Sequence, residues 1–354
     1  MVSRTQLSIP IALAGILALP PAGLSAARES RNPVEDPRRS AAICVPWNQN
    51  ADPRRSAAIR VPLRSAEIRV PQASAPKIDA AQLIRDVEVL AADDMEGRMA
   101  GTPGGAKARA YVLQRFKEVG LTPLAAGYEQ PFTFPGRGEM PQRNGTNLLG
   151  LIRGTARPDR YIVVTAHYDH VGVRGGQVYN GADDNATGVA ALFAIAAHFV
   201  KHLPETSLII AALDAEESGL RGARALLASH LIKKEAIVMN VNIDMIGRDA
   251  NNVLYASGTH HYPALKPFLE DVAQPPVELR LGHDVPGTKI EDWTSSSDHA
   301  PFHQAGIPFI YFGVEDFENH HKASDDAATI QRELVAGAVR TIIVAVDRFA
   351  TGMK

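Results

Sequence analysis

Residues 161–188 read YIVVTAHYDHVGVRGGQVYNGADDNATG. Tyr161–Ala166 is a near-continuous apolar run, as in a strand covered on both faces. It runs directly into His167-Tyr168-Asp169. A loop then carries Gly181-Ala182-Asp183-Asp184-Asn185-Ala186-Thr187 into a helical pattern that begins at Gly188. The same alternation extends along the chain. Strands are predicted at 147–152, 161–166, 208–213, 237–243, 253–256 and 309–312, and helices at 79–90, 105–119, 188–202, 221–230, 263–272 and 330–349. Strand and helix alternating through short connections predict an α/β fold. It should be a single three-layer domain over 77–354, with a mostly parallel mixed sheet and helices on both faces. Its ligand site is expected outside the carboxyl ends of the strands.

Acid and imidazole fall at those strand ends. LIIAAL leads into Asp214-Ala215-Glu216-Glu217-Ser218-Gly219, and IVMNVNI into Asp244-Met245-Ile246-Gly247-Arg248. Ser297-Asp298-His299 and His320-His321-Lys322-Ala323-Ser324-Asp325 follow near the end. Each cluster alone has an ordinary explanation: Asp184 or Asn185 as a helix cap, Glu216-Glu217 as a solvated pair. Four successive strand ends with such groups do not. Carboxylates converging on one crevice repel, and a divalent cation or a pair of cations removes the conflict. Cys44 is the only cysteine, so a metal must be held by His, Asp and Glu. That set suits zinc (Zn2+), with Mn2+ or Co2+ as substitutes. Two ions need a bridging carboxylate, plus one imidazole and one further carboxylate each. Neighbouring side chains on an extended segment point opposite ways, so one of Glu216 and Glu217 can bind metal while the other faces a water. Asp169 is placed to accept the free ring N–H of His167.

Composition narrows the class. The 354 residues are 45% hydrophobic and 21% charged, the balance of a folded, water-soluble protein. Residues 1–76 carry ten Arg against five acidic residues, whereas 77–354 hold 27 basic and 34 acidic residues. An acidic folded portion argues against nucleic acid as a partner. Arg4, the apolar run Leu7–Leu19 and the small residues Gly23–Ala27 have the order of a secretory signal over 1–27. The run of about 13 apolar residues falls short of the ~20 that span a bilayer, so export to the periplasm or medium is expected, with no stable membrane anchor. DPRRSAAICVP at 36–46, DPRRSAAIRVP at 52–62 and RSAEIRVP at 64–71 form an irregular repeat. With its Arg and Pro content, it predicts a disordered linker over 28–76.

Taken together, His167-x-Asp169, Asp184–Gly188, Glu216–Gly222, Asn242–Gly247, Ser297–Phe302 with Gly306–Pro308, and His321-x-x-x-Asp325 resemble the secreted zinc exopeptidases. That group includes the bacterial leucyl aminopeptidases and aminopeptidase Y, and is related to glutamate carboxypeptidase II and glutaminyl cyclase. Asp94–Arg98 and Gly101–Gly104 look like that family's lead into its catalytic domain, and the resemblance covers about 80–351. It implies the zinc-exopeptidase, phosphorylase/hydrolase-like fold, with peptides bearing a free N-terminus as substrates. It further implies that Asp184 bridges two zinc ions, that His167 and Asp244 complete one, that Glu217 and His321 complete the other, and that Glu216 is the general base. Asp169 would support His167, and Asp325 would support His321.

There are departures from the family pattern. Thr187 replaces the usual Ser, and His320 stands where an aromatic residue usually precedes the last ligand, leaving His320 as the alternative to His321. His299 is either a substrate contact or a structural histidine under the crevice. Residues 283–297, with Trp293, are expected to wall the pocket. Glutaminyl cyclase and carboxypeptidase chemistry are the alternatives within the fold. A non-enzymic binding ectodomain would be expected to lose ligands, and none is lost.

Overall fold

The computed structural model describes residues 75–136 and 141–353. The expected signal and all but two residues of the expected linker lie outside the described residues. Six α-helices are α1 (Ala80–Leu90), α2 (Pro103–Glu118), α3 (Gly188–Phe199), α4 (Arg221–Ala228), α5 (His299–Gln304) and α6 (Arg332–Gly352). The strands are β1 (Thr122–Pro123), β2 (Glu129–Phe134), β3 (Arg143–Ile152), β4 (Arg157–His167), β5 (Gly172–Arg174), β6 (Gln177–Tyr179), β7 (Thr206–Leu213), β8 (Ile237–Ile243), β9 (Val253–Ser257), β10 (Glu278–Leu281) and β11 (Phe309–Gly313). Helix starts carry their own signals. Asp79 caps α1 by accepting from the Gln82 amide at 2.9 Å, and Thr102 with Pro103 opens α2.

The main sheet runs β1-β3-β7-β4-β8-β11-β9-β10, with β2 also on β3, while β5 and β6 form a separate hairpin. The central four strands, β7-β4-β8-β11, are parallel. The flanks bring in antiparallel pairs at β1–β3, β2–β3, β3–β7 and β9–β11, so the sheet is more mixed than expected. The centre agrees with the sequence because its strands are buried on both faces.

Successive side chains of a strand face opposite layers, and the two cores divide accordingly. Ile162, Val164, Ala166, Leu208, Ile210 and Ala212 pack in one core with residues of α1, α2, α3 and α6. Val163, Ile209, Ala211 and Leu213 pack in the other with Ala223, Leu226 and Phe302 of α4 and α5. All eight residues of β7 are buried, and each large aliphatic side chain so placed contributes about 1.5–3 kcal/mol. The helix expected at 263–272 is instead a 3₁₀ segment, Pro263–Leu269. Pro267 lies inside it and removes an α-helical donor. Among the described residues no helix is long and apolar enough to cross a membrane.

β4 lies between β7 and β8. Its neighbours are reached by crossovers in opposite directions, so a crevice opens at the carboxyl ends of these three strands. All three ends carry acidic groups, and the end of β4 adds imidazoles.

Candidate metal centre

His167 is the last residue of β4 and is buried. Its Nδ1 donates to the Asp169 carbonyl at 3.0 Å. A carbonyl can only accept, so Nδ1 carries a proton and Nε2 is the nitrogen turned to the crevice. Nε2 faces Asp184 Oδ1 at 3.2 Å and Asp244 Oδ1 at 3.3 Å. Asp244 follows β8, and its Oδ2 accepts from Ser297 Oγ at 2.6 Å. On the other side of Asp184, Oδ2 lies 3.2 Å from His321 Nε2 and 3.6 Å from both His170 Nδ1 and His320 Nε2. Glu217, in the turn after β7, puts Oε1 2.8 Å from His170 Nδ1 and Oε2 3.1 Å from His321 Nε2. The Asp184 carboxylate thus faces a separate group of donors with each oxygen.

The loops beneath are held by buried polar contacts. Asn185 donates to the Ile243 carbonyl at 2.9 Å and accepts from the Gly188 amide at 3.0 Å, joining the α3 loop to the end of β8. Thr187 Oγ1 donates to the Asp183 carbonyl at 2.9 Å and accepts from the Ile246 amide at 3.3 Å. The hydroxyl that Thr shares with Ser is the part used. Asp325 accepts from the Asp183 and Asp184 amides at 2.8 and 3.0 Å. Arg248 pairs with Asp325 and bonds Asp316 Oδ2 at 2.6 Å and Thr329 Oγ1 at 2.6 Å, clamping the segment that bears His320 and His321 to the end of β8.

Arg98 lies fully buried under the centre. Its guanidinium donates to the carbonyls of Tyr168 (2.9 Å), Leu90 (2.7 Å), Asn180 (2.5 Å), Gly181 (2.8 Å) and Asp184 (3.4 Å). Burial lowers its pKa to about 10, against the pull of Asp184, Asp325, Asp169 and Glu217. The side chain therefore serves as a fixed positive charge below several carboxylates.

Protein groups alone separate the two neighbouring glutamates. Burial raises the Glu216 carboxyl well above its usual value, and Asp298 and Asp244 add to the rise. Burial and the Asp184 charge push Glu217 up as well, but His170 and His321 outweigh them and hold it at about 2. Burial raises Asp184 too, and His170, His167 and His321 overcome it, leaving that carboxyl well below the usual range. His321, bonded to Asp184 and Glu217, is raised to about 10.

The structure brings His167, Asp184, Glu217, Asp244 and His321 together around one crevice, with Glu216 on its wall. Of the two C-terminal histidines, His321 is nearer Asp184 and alone of the two approaches Glu217. Three expectations shift. The Asp169 carboxylate lies 3.7 Å from His167 Nδ1, which bonds the Asp169 carbonyl instead; Asp169 Oδ1 accepts from the Glu216 amide at 3.0 Å. Asp325 makes no direct contact with His321; it accepts from the amides of the Asp184 loop and acts on the His321 segment through Arg248. His299 has no exposed surface, so it is not a substrate contact. Its Nε2 donates to the Trp293 carbonyl at 2.8 Å and its ring lies against Phe309 and Tyr311. Burial lowers its pKa to about 3.

Residues 283–297 do wall the crevice, through Glu291, Trp293 and Ser296. They are fixed from behind where His283 stacks on Trp293 at 3.6 Å and meets Glu315 at 3.1 Å. Two residues escaped the sequence reading. His170 carried one signal, its position three residues after His167. Arg98 carried none beyond its place in DMEGR.

The sequence profile of peptidase family M28 matches residues 147–346. A probable glutamate carboxypeptidase, VP8, of Zea mays is 31% identical over 199 residues, which is 51% of this chain and 26% of that protein. The chain spans about half or less of the length of such curated relatives. Among solved structures, BSAP, a zinc aminopeptidase from Bacillus subtilis, superposes with a TM-score of 0.60 at 16% identity, covering 76% of this chain and 95% of that one. A glutaminyl cyclase from Fimbriiglobus ruber gives 0.59 at 17% identity, covering 77% and 98%. At those identities the likeness is one of fold.

Proposed function

The chain belongs to peptidase family M28, and we propose that it is a two-zinc aminopeptidase that removes N-terminal residues from peptides, with Glu216 as general base. The observation that carries this is the double engagement of Asp184, with Oδ1 toward His167 and Oδ2 toward His321, each at 3.2 Å. His167, Asp184 and Asp244 would hold one ion, and Asp184, Glu217 and His321 the other. The donor set fits zinc: imidazole nitrogen and carboxylate oxygen, with no thiolate. Asp184 Oδ2 is buried, and its polar neighbours are imidazole nitrogens, His321 Nε2 at 3.2 Å and His170 Nδ1 and His320 Nε2 at 3.6 Å, a grouping of donors that a shared cation satisfies. Mn2+ or Co2+ would be substitutes.

Zinc ions held there would polarise the scissile carbonyl and acidify the attacking water. The rest falls to side chains. Burial raises the Glu216 pKa, so it is suited to take the water's proton and return it to the leaving amine. The bond from its amide to Asp169 Oδ1 fixes its backbone. Met245, Trp293, Tyr311 and Phe317 supply apolar walls to a cleft of about 190 Å³.

A panel of aminoacyl anilides, N-acetylated peptides and N-terminal glutaminyl peptides tests the reading on metal-quantified protein. Chelation should abolish hydrolysis, and zinc should restore it with an endpoint near two equivalents. Acetylated peptides should remain intact. Restoration at one equivalent with cyclisation of glutaminyl peptides would replace the aminopeptidase with a cyclase.

A further inference from the structure

We infer that His170 is a sixth protein ligand of the metal centre, closing the position formed by Asp184, Glu217 and His321 and leaving the only open position on the His167–Asp184–Asp244 side. The inference rests on the two-metal reading and adds an asymmetry to it. His170 is fully buried; among the described residues its Nε2 has no partner, and its Nδ1 meets only carboxylate oxygens. A buried ring nitrogen gathered with carboxylate oxygens is a donor set that a shared cation satisfies. Nδ1 points into the centre, 2.8 Å from Glu217 Oε1 and 3.6 Å from Asp184 Oδ2.

Ligand spacing agrees. With metal–ligand bonds of roughly 2.0–2.1 Å, tetrahedral donors stand about 3.3 Å apart. The contacts from His170 Nδ1 to the two carboxylates are 2.8 and 3.6 Å, on both sides of that value. The backbone is also shaped to admit the ring. A Cβ on Gly181 would lie 2.5 Å from His170 Cγ and Cδ2, and this residue has a φ of +59°. Only glycine accommodates both the conformation and the neighbour.

Four protein donors make a closed position, as in structural zinc sites, whereas three leave room for a water or substrate. The His167 side therefore retains the open coordination, and its donors line the same cleft as Glu216. The ion on the His170 side would be the more firmly held of the two.

The full chain, labelled with ¹⁵N-histidine and loaded with ¹¹³Cd, tests this directly. Three imidazoles, from His167, His170 and His321, should show nitrogen–cadmium coupling, with His170 coupled through Nδ1. In parallel, zinc competition against a chromophoric chelator should show one equivalent weakened at least tenfold in His170→Asn and the other unchanged. Two bound equivalents with coupling only to His167 and His321 would overturn the assignment while leaving two metals in place, as would unaltered affinities in the variant. A native chain that takes a single equivalent would overturn this inference together with the two-metal reading.

Discussion

The two oxygens of Asp184 look onto surroundings of opposite construction. On the Oδ1 side, His167 and Asp244 end two adjacent parallel strands, both are buried, and each has a fixed partner in the Asp169 carbonyl and Ser297. On the Oδ2 side, His321 lies in a loop with its side chain 44% exposed and its φ at +56°. That side is placed by Arg248, which ties Asp316 and Asp325 to the end of β8. One side is thus set by sheet register alone, whereas the other adds a loop ligand, His321, that an ion-pair clamp places. The sheet fixes orientation at no further cost, while the loop side needs additional polar contacts and, on the present inference, an additional imidazole.

The strongest way to break this comparison is through the neighbouring glutamates, which belong to different sides. Glu216→Gln keeps shape but cannot accept a proton, so kcat should fall about 10²–10⁴-fold, or roughly 3–5 kcal/mol of transition-state stabilisation. KM and metal content should hold. Glu217→Gln should instead lower metal stoichiometry and thermal stability. Steady-state kinetics and metal analysis of both variants decide it; a Glu216→Gln chain with near-normal kcat, or short of one ion, removes the proposed base.

Arg98 should act on both sides alike. Arg98→Met leaves four short carbonyl bonds without their donor, and each unsatisfied buried group costs about 1–3 kcal/mol. A loss of at least about 3 kcal/mol in denaturant unfolding is expected, with metal affinity reduced at both positions. Reduction at one position only would confine Arg98 to that side.

A finer contrast sets Ser297 against His320. Ser297→Ala removes the bond that orients Asp244, and loss of such a partner typically weakens metal binding 10–100-fold. The loss should affect only the equivalent on the sheet side. His320→Ala should change either affinity less than threefold, because His321 already approaches both carboxylates on the loop side. Competition titrations with a chelator measure both.

The same contrast governs what was legible in the sequence. His167, Asp184, Glu217 and Asp244 follow apolar runs or a glycine-bounded helix start, and such runs have little freedom but to become central strands. His321 depends on a loop whose course is fixed by Arg248–Asp325, a pairing across 77 residues with no local signature, so its neighbour His320 stayed the alternative even though the spacing to Asp325 favoured His321. His170 follows a strand end by three residues, and only the fold shows its ring turned inward. For His299 the sequence allowed two roles, and burial selected one. β1 and β2 went unrecognised because Thr122–Pro123 is two residues long and β2 alternates exposed with buried positions around a proline.

A separate effect concerns pH rather than metal affinity, and it tests the floor that both sides share. His299 has a pKa of about 3 by burial, against 6.5 when unfolded. Above pH 6.5 it is neutral in both states. As pH falls below 6.5 only the unfolded chain takes up the proton, so stability drops by about 1.4 kcal/mol per unit until about pH 3. The adjacent Asp298, raised to about 7 chiefly by burial, works the other way. Below pH 7 the folded state binds its proton and the unfolded chain, near 3.8, does not, so stability rises as pH falls toward 4. Between about pH 4 and 6.5 the two neighbours nearly cancel. His299→Gln should expose the Asp298 contribution, making the variant gain about 1.4 kcal/mol per unit of falling pH relative to the native chain. Urea unfolding of both chains with chelator present, at several pH values in that window, measures the difference, in which every other titrating group drops out. Parallel pH curves for the two chains would mean that His299 is protonated in the fold, and its place as a neutral support for Trp293 would be lost.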